Sequence, residues 1–433
     1  MYSLSLAFTD IALSAEQFKE RALYWAGQYA VAAYYEPNTG NSANRYGGFD
    51  NILAVSTAAG NLVDPGRAFD SLKEIWPQGN ELLCGILSYD LKNQVEELTS
   101  TNPDLIAFPL MYFFRPEIHL TFGPGTFTVS STSDNCRETI ERILAVIPDK
   151  HFETRVLEIK QRVSRPDYIA AVNGIREEIR NGEIYEMNYC LEFYAQDPDL
   201  SPIPVFLALN RMSPMPFGGF IKVRDKYLVC ASPERFLRKA GQVLISQPIK
   251  GTIRRGMSPA EDEQLRRQLS RDEKEIAENM MIMDLVRNDL GKSSVTGTVK
   301  VEEMFGIYGF RQVYQMMTTV TGLIRPDCHP VDAIKNAFPM GSMTGAPKIR
   351  AMELIDRYES TRRGLYSGSM GYLKANGDFD FNVVIRSLQY NGATGYLSFM
   401  VGSAITYDSN PEQEYEECLL KAQAIRQVLH KAH

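Results

Sequence analysis

The sequence predicts an α+β fold. Short strand-like runs crowd the first 150 residues, helical segments and strands mix after about residue 160, and no regular βαβ alternation joins them. In order, GGFDNILAVS (47–56), LLCGILSYDL (82–91), FPLMYFFRP (108–116) and LTFGPGTFTVS (120–130) read as strands broken by turns. The segment 133–163 is charged and helical in tendency. Ser164-Arg165-Pro166-Asp167 then marks a helix start, with Pro just inside and Tyr168, Ile169, Val172 and Ile175 at helical spacing, running to Asn181-Gly182. A strand IYEMNYCLEFYA (184–195), a helix near 203–212, and strands FGGFIKV and YLVCASP follow. A soft boundary near 160 separates regions 1–160 and 161–433, which are expected to share one sheet system.

With 433 residues the chain exceeds a common single domain, and its 44% apolar and 23% charged content is ordinary for a globular protein. Lys plus Arg number 46 against 53 Asp plus Glu, so the basic excess that nucleic-acid binding requires is missing. No apolar run is long enough to span a bilayer, and Asp10 interrupts the opening MYSLSLAFTDIALSAEQF, so the expectation is a soluble cytoplasmic protein. Cys84, Cys136, Cys190, Cys230, Cys328 and Cys418 form no CxxC, and His119, His151, His329, His430 and His433 form no HExxH. Any metal should therefore be a hard cation held by carboxylates.

Three stretches can carry chemistry. DEKEIAENMMIMDLVRNDLG (272–291) has Ile276, Met280, Met283 and Val286 at helical spacing, ends at Gly291 as a C′ glycine, and places Glu275 and Glu278 on one face. DSNPEQEYEECLLKAQAIRQVL repeats the spacing with Glu414 and Glu417, with Asp408 or Ser409 as cap and Pro411 in the first turn. Two such helices can hold Mg²⁺, although an isolated ExxE more often marks a solvated face. PMGSMTGAPKIR (339–350) packs small residues around Thr344 before a helix AMELIDRY, a turn that either cradles an anion with Lys348 nearby or simply joins elements. SPERFLR (232–238) and PIKGT (248–252) flank a hairpin that brings Glu234 and Lys250 to one cavity. Burial there lowers the lysine pKa to free a nucleophilic amine, and a buried Glu can protonate a leaving hydroxyl; both residues are also ordinary edge-strand charges.

In this order, SPERF, PIKGT, AENMMIMDLVRNDLG, GSMTGAPKIRAMELID, GSMGY, VVIRSL and DSNPEQEYEE resemble the chorismate-binding enzymes. That family includes anthranilate synthase component I, aminodeoxychorismate synthase component I, isochorismate synthase and salicylate synthase. The resemblance spans about 164–430, with LLCGILSYDL similar to a component I segment, and implies a large sandwich of two antiparallel sheets with outer helices. PIKGT is similar to the aminodeoxychorismate synthases, where anthranilate synthases typically read PIAGT. It implies that Lys250 attacks C2 of chorismate, Glu234 protonates the departing C4 hydroxyl, and ammonia then takes C4, the amine serving p-aminobenzoate and folate synthesis.

The same resemblance implies Mg²⁺ on Glu278 and Glu417, assisted by Glu275 and Glu414, and places Tyr372 and Arg386 at the enolpyruvyl carboxylate. Gly251, Thr252, Gly402, Ser403 and Ala404 would donate backbone N–H groups, and Thr344, Gly345, Ala346 and Lys348 would complete the substrate site. Three positions depart from the family pattern: Glu186 stands where amine-adding members carry Gln and water-using members Lys, Gln315 where most have His, and Ala404 where GAGI is common. Ammonia is expected from a separate glutamine amidotransferase subunit, because no nucleophile elbow surrounds a cysteine and the length leaves no room for that domain. Anthranilate synthase component I and a catalytically silent chorismate-binding subunit are the alternatives.

Overall fold

A computed structural model describes residues 1–38, 45–77, 81–149, 157–197 and 199–431. His151, His433 and the 150–156 part of the expected helical segment lie outside the described residues; within that segment the helix is Cys136–Ala145. Two antiparallel sheets face each other. The first runs, edge to edge, through Tyr2–Ala7, Thr126–Ser131, Ile118–Phe122, Ile52–Ser56, Val31–Glu36, Phe217–Val223, Lys226–Ser232, Ser387–Asn391, Tyr396–Ile405, Glu186–Gln196 and Gly345–Ala346, with Lys160–Gln161 beside Glu186–Gln196. The second runs through Ile249–Arg254, Val313–Leu323, Val243–Gln247, Arg235–Ala240, Phe379–Asn382, Ser369–Lys374, Leu82–Leu87 and Met111–Phe114, with Lys300–Gly309 on Val313–Leu323. Both sheets draw strands from both sides of residue 160.

Two-residue periodicity divides the core. Val31, Ala33 and Tyr35 point inward and meet Cys84, Ile86, Tyr112 and Met370 of the opposite sheet. Ala32 and Tyr34 point outward, under a helical layer that includes Ala15–Ala26, Arg165–Arg180 and Pro411–Lys431. The outer face of the second sheet is covered by Ala68–Glu74, Glu273–Gly291 and Pro330–Ala337. No helix among the described residues is long and apolar enough to cross a membrane.

Helix boundaries follow local chemistry. Ser164 caps Arg165–Arg180 by accepting from the Asp167 N–H, as the sequence predicts. Two ends differ. Gly291 is the last helical residue rather than the one after it, because Lys292 continues in right-handed geometry. The C-terminal helix is capped by Asn410, whose Oδ1 accepts from the Glu412 and Gln413 N–H groups, while the Ser409 hydroxyl is engaged with Glu414.

Two buried ion pairs fasten the layers. Arg235 binds Asp380 through two bonds of 2.9 Å, joining neighbouring strands of the second sheet. Arg363 binds Glu359 (2.6 Å) and donates to the backbone oxygens of Met343 (2.7 Å) and Asn188 (2.9 Å), tying the loop at 340–344 to the strand Glu186–Gln196. Truncating one member strands a buried charge. Arg363→Ala should therefore lower stability by about 3–5 kcal/mol, read as a shift in the denaturant midpoint; an unchanged midpoint would contradict this role.

Candidate active site

Two of the connections by which the chain steps from one sheet to the other deliver a functional side chain. Between Lys226–Ser232 and Arg235–Ala240 it places Glu234; between Phe379–Asn382 and Ser387–Asn391 it places Arg386, at φ 50°. Both line a cavity of about 570 Å³ between the sheets. Lys250, from the edge strand Ile249–Arg254, lines it too, with Glu275 and Glu278 of one helix and Glu414, Glu417 and Lys421 of the C-terminal helix.

Glu234 and Lys250 do converge, but not as neighbouring hairpin strands. Ile249–Arg254 turns away and pairs with Val313–Leu323, so two strands separate it from Arg235–Ala240. Glu234 is buried and accepts from the Ser342 hydroxyl at 2.6 Å. Burial pushes its pKa up to about 7, against the opposing pull of that hydroxyl and Lys250. A carboxyl group in this state holds a proton near neutral pH and can give it up.

Lys250 departs from the sequence expectation. Its Nζ lies 2.9 Å from Glu186 Oε1. Burial does pull its pKa down, but the carboxylates of Glu186, Glu278 and Glu234 outweigh it, and the net direction is up. At rest the lysine is an ammonium ion.

Arg386 is the opposite case. Burial lowers its pKa to about 10, and no carboxylate pairs with it among the described residues; the one hydrogen-bond contact of its guanidinium among them is to Met215 Sδ at 4.0 Å. A half-buried guanidinium that faces the cavity and has no carboxylate partner among the described residues is suited to a carboxylate.

The acidic residues differ among themselves. Glu278 Oε1 is buried without a hydrogen bond, 3.7 Å from Lys274 Nζ, and burial raises its pKa to about 8. Glu275 is raised by burial and by Glu417. Glu417 is opposed by burial but held low overall by Lys421, 2.6 Å away. Glu414 accepts from Ser403 (2.6 Å), Ser409 (2.9 Å) and Lys274 (3.1 Å). No group of three His, Cys, Asp or Glu among the described residues has metal-holding geometry. The Glu278 oxygen that makes no hydrogen bond, beside Glu275, nevertheless suits a hard cation.

Backbone approach explains two glycines. Gly251 has φ 95°, and a Cβ there would lie 3.2 Å from Glu275 Oε2; at Gly402 it would meet Asn188 Nδ2 at 2.7 Å. Thr252 and Ala404 also line the cavity. Gln315 lies opposite Thr252, donates to its hydroxyl at 3.4 Å, and keeps a buried Oε1 without a partner.

Six expected contacts lie off the cavity wall. The Tyr372 hydroxyl accepts from the Asp50 N–H within an aromatic cluster of Tyr35 and Phe49. Lys348 is spent on Asp289 and the Pro339 carbonyl. The Thr344 hydroxyl bonds the Met340 and Gly341 carbonyls, Gly345-Ala346 forms a short strand on Glu186–Gln196, and the Ser403 side chain serves Glu414. In their place stand residues that sequence reasoning missed. Ser342 lies within PMGSMTGAPKIR, Lys421 sits one turn from Glu417 at the i,i+4 spacing, and Arg363, which holds the wall residues Met343 and Asn188 from behind, has no sequence pattern.

A family model described as chorismate binding enzyme matches residues 20–427. The chain belongs to the chorismate-binding enzyme family. A probable aminodeoxychorismate synthase of Oryza sativa subsp. japonica is 39% identical over 308 residues, 70% of this chain, which spans about a third (32%) of that relative. Anthranilate synthase component 1 of Thermus thermophilus is 34% identical over 81% of this chain and 78% of its own. The fold matches anthranilate synthase component I of Streptococcus pneumoniae TIGR4, with TM-score 0.75, 24% identity and coverage of 98% and 92%. The two-sheet sandwich expected from the sequence is thus the family fold.

In a chorismate-binding site, Arg386 has the charge to take a substrate carboxylate. Arg386→Ala should weaken chorismate binding about 10- to 150-fold, the loss of one charged hydrogen-bonding group at about 1.5–3 kcal/mol. Titration calorimetry checks this, and unaltered affinity would place the carboxylate elsewhere.

Proposed function

We propose that the chain converts chorismate and ammonia to 4-amino-4-deoxychorismate through a covalent intermediate on Lys250. Overall identity does not decide between amination sites, since synthases of both kinds are comparably similar to this chain. The observation that carries the reading is Lys250 itself, a lysine in the same cavity as Glu234, whose pKa burial raises to about 7, and as Arg386, which has no carboxylate partner among the described residues. An amine adding at C2 as Glu234 protonates the departing C4 hydroxyl leaves C4 open to ammonia. A site without that lysine would let ammonia add at C2 directly.

Arg386 would hold a substrate carboxylate, and the Gly251 and Gly402 backbones would approach substrate oxygens closely. Glu278 and Glu417, with Glu275 beside them, would hold Mg²⁺, which when bound neutralises the ring carboxylate. Glu414 is already occupied by three donors and would act by fixing Lys274 and Ser403. Ammonia would come from a glutamine amidotransferase subunit, in keeping with a relative named as a component 1. The product would serve p-aminobenzoate and folate synthesis, and a cytoplasmic location fits this reading.

Purified protein with chorismate, Mg²⁺ and ammonium should yield p-aminobenzoate only when aminodeoxychorismate lyase is added. Anthranilate and pyruvate formed unaided would instead establish the anthranilate synthase reading, which the Thermus relative favours. Lys250→Ala should abolish C4 amination by product analysis; unchanged C4 amine would refute the covalent step. Because the raised Glu234 pKa means its proton is held below about pH 7 and lost above it, kcat/KM should fall above that pH, approaching tenfold per unit. A rate flat through pH 8 would exclude Glu234 as the acid.

A further inference from the structure

We propose that a groove on the outer face of the first sheet, separate from the catalytic cavity, binds a small phosphate-bearing anion between Arg142, Lys222 and Arg224. The inference is independent of the C4-amination reading. The groove has a volume of about 570 Å³ and shares no lining residue with the catalytic cavity. Its polar lining is Gln28, Tyr29, Thr57, Arg142, Lys222 and Arg224, with no carboxylate among the described residues. The chain as a whole has a net charge of −7, so three cations on one concave surface run against its average.

Each cation arrives from a different part of the fold. Lys222 lies on Phe217–Val223 opposite Ala32, and so points to the outer face. Its Nζ donates to the Gly27 carbonyl at the end of the helix Ala15–Ala26, and burial alone pulls its pKa down. Arg224 takes the first position of the two-residue turn between Phe217–Val223 and Lys226–Ser232, at φ 56°, and its N–H donates to the Ala30 carbonyl at 2.8 Å. Glycine is the favoured residue in that left-handed geometry, so the hairpin holds an arginine at the groove in spite of backbone strain. Arg142 comes from the helix Cys136–Ala145. Among the described residues none of the three is paired with a carboxylate.

The acids of this region are otherwise engaged or stand back from the groove. Glu117 accepts from the Ser56 and Thr57 hydroxyls, Asp225 lies 3.5 Å from Lys226, and Glu138, one turn before Arg142, acts on Tyr29 without lining the groove. Two guanidinium forks and an ammonium are left for a ligand, beside the Tyr29 hydroxyl and the Gln28 amide. A planar carboxylate occupies one such fork, whereas a tetrahedral phosphate with two or more negative charges can engage all three cations. Arg142 and Arg224 are exposed, so the groove is open to a diffusing molecule. A nucleic acid or a membrane would need a wider basic field than this chain supplies, and the volume suits a small ligand.

Inorganic pyrophosphate is the probe, titrated by calorimetry into the full chain at low salt and without Mg²⁺. Saturable one-to-one binding is expected, and added chorismate should not displace it. Arg224→Gly, which removes the guanidinium and suits the turn, and Arg142→Gln, at an exposed helix position, should each weaken binding by about tenfold or more. Arg267→Gln removes the same charge from another exposed helix and should leave it unchanged. No binding, an equal loss in all three variants, or displacement by chorismate would overturn the site, the last by placing pyrophosphate at Arg386. Citrate binding more tightly than pyrophosphate would overturn the phosphate assignment. Phenylglyoxal labelling read by peptide mass spectrometry locates the anion without any variant: pyrophosphate should protect Arg142 and Arg224 but not Arg267, and labelling of Arg142 and Arg224 at undiminished rates would also overturn the proposal.

Discussion

A buried ammonium needs carboxylates around it, and the seam between the two sheets is arranged to supply them. Lys250 stands on an edge strand of one sheet and is met by Glu186 from the other, with Glu278 and Glu234 close enough to add to its charge balance. Removed from water, each of these groups would be costly alone. Gathered together they make a polar interior possible within a sandwich whose remaining interface is aromatic and aliphatic. The separation is spatial: Tyr35, Phe49 and Tyr372 pack at one part of the interface, and the charged cavity opens where the chain crosses between sheets.

The crossings explain why the key side chains belong to loops of unremarkable appearance. A residue within a strand must face one side of its sheet, whereas a residue in a crossing segment can point along the seam. Glu234 and Arg386 both use this freedom, and Arg386 does so in left-handed backbone geometry. The Arg235–Asp380 pair adjoins both crossings and keeps the strands they connect in register. Arg363 performs the matching service for the loop that carries Ser342, whose hydroxyl bears on Glu234.

Much of this was legible in the sequence where local rules govern. The cap at Ser164, the 272–291 helix with its paired glutamates, and the joint presence of Glu234 and Lys250 followed from spacing and turn chemistry together with the family resemblance. What was not legible depends on long-range neighbours. Desolvation alone predicts a lowered lysine pKa, and only the fold reveals that Glu186, 64 positions away, reverses the sign. Tyr372 and Lys348 sit in stretches that carry the resemblance, yet their polar atoms are committed to Asp50 and Asp289. Such commitments leave no periodic trace.

The cavity also has an assembly order. Its charged wall is collected from positions as far apart as Glu234, Lys250, Glu278, Arg386 and Glu417, and of the elements that carry them the helix Pro411–Lys431 is made last on the ribosome. Contacts of such sequence separation form slowly, because long loops must close before any of them stabilises the chain. A nascent chain lacking that helix would hold Lys274 without Glu414 and leave the apolar face of Tyr396–Ile405 uncovered. Docking of this helix therefore both covers the hydrophobic layer and completes the charge balance, so a chain without it is a sticky chain before it is an inactive one.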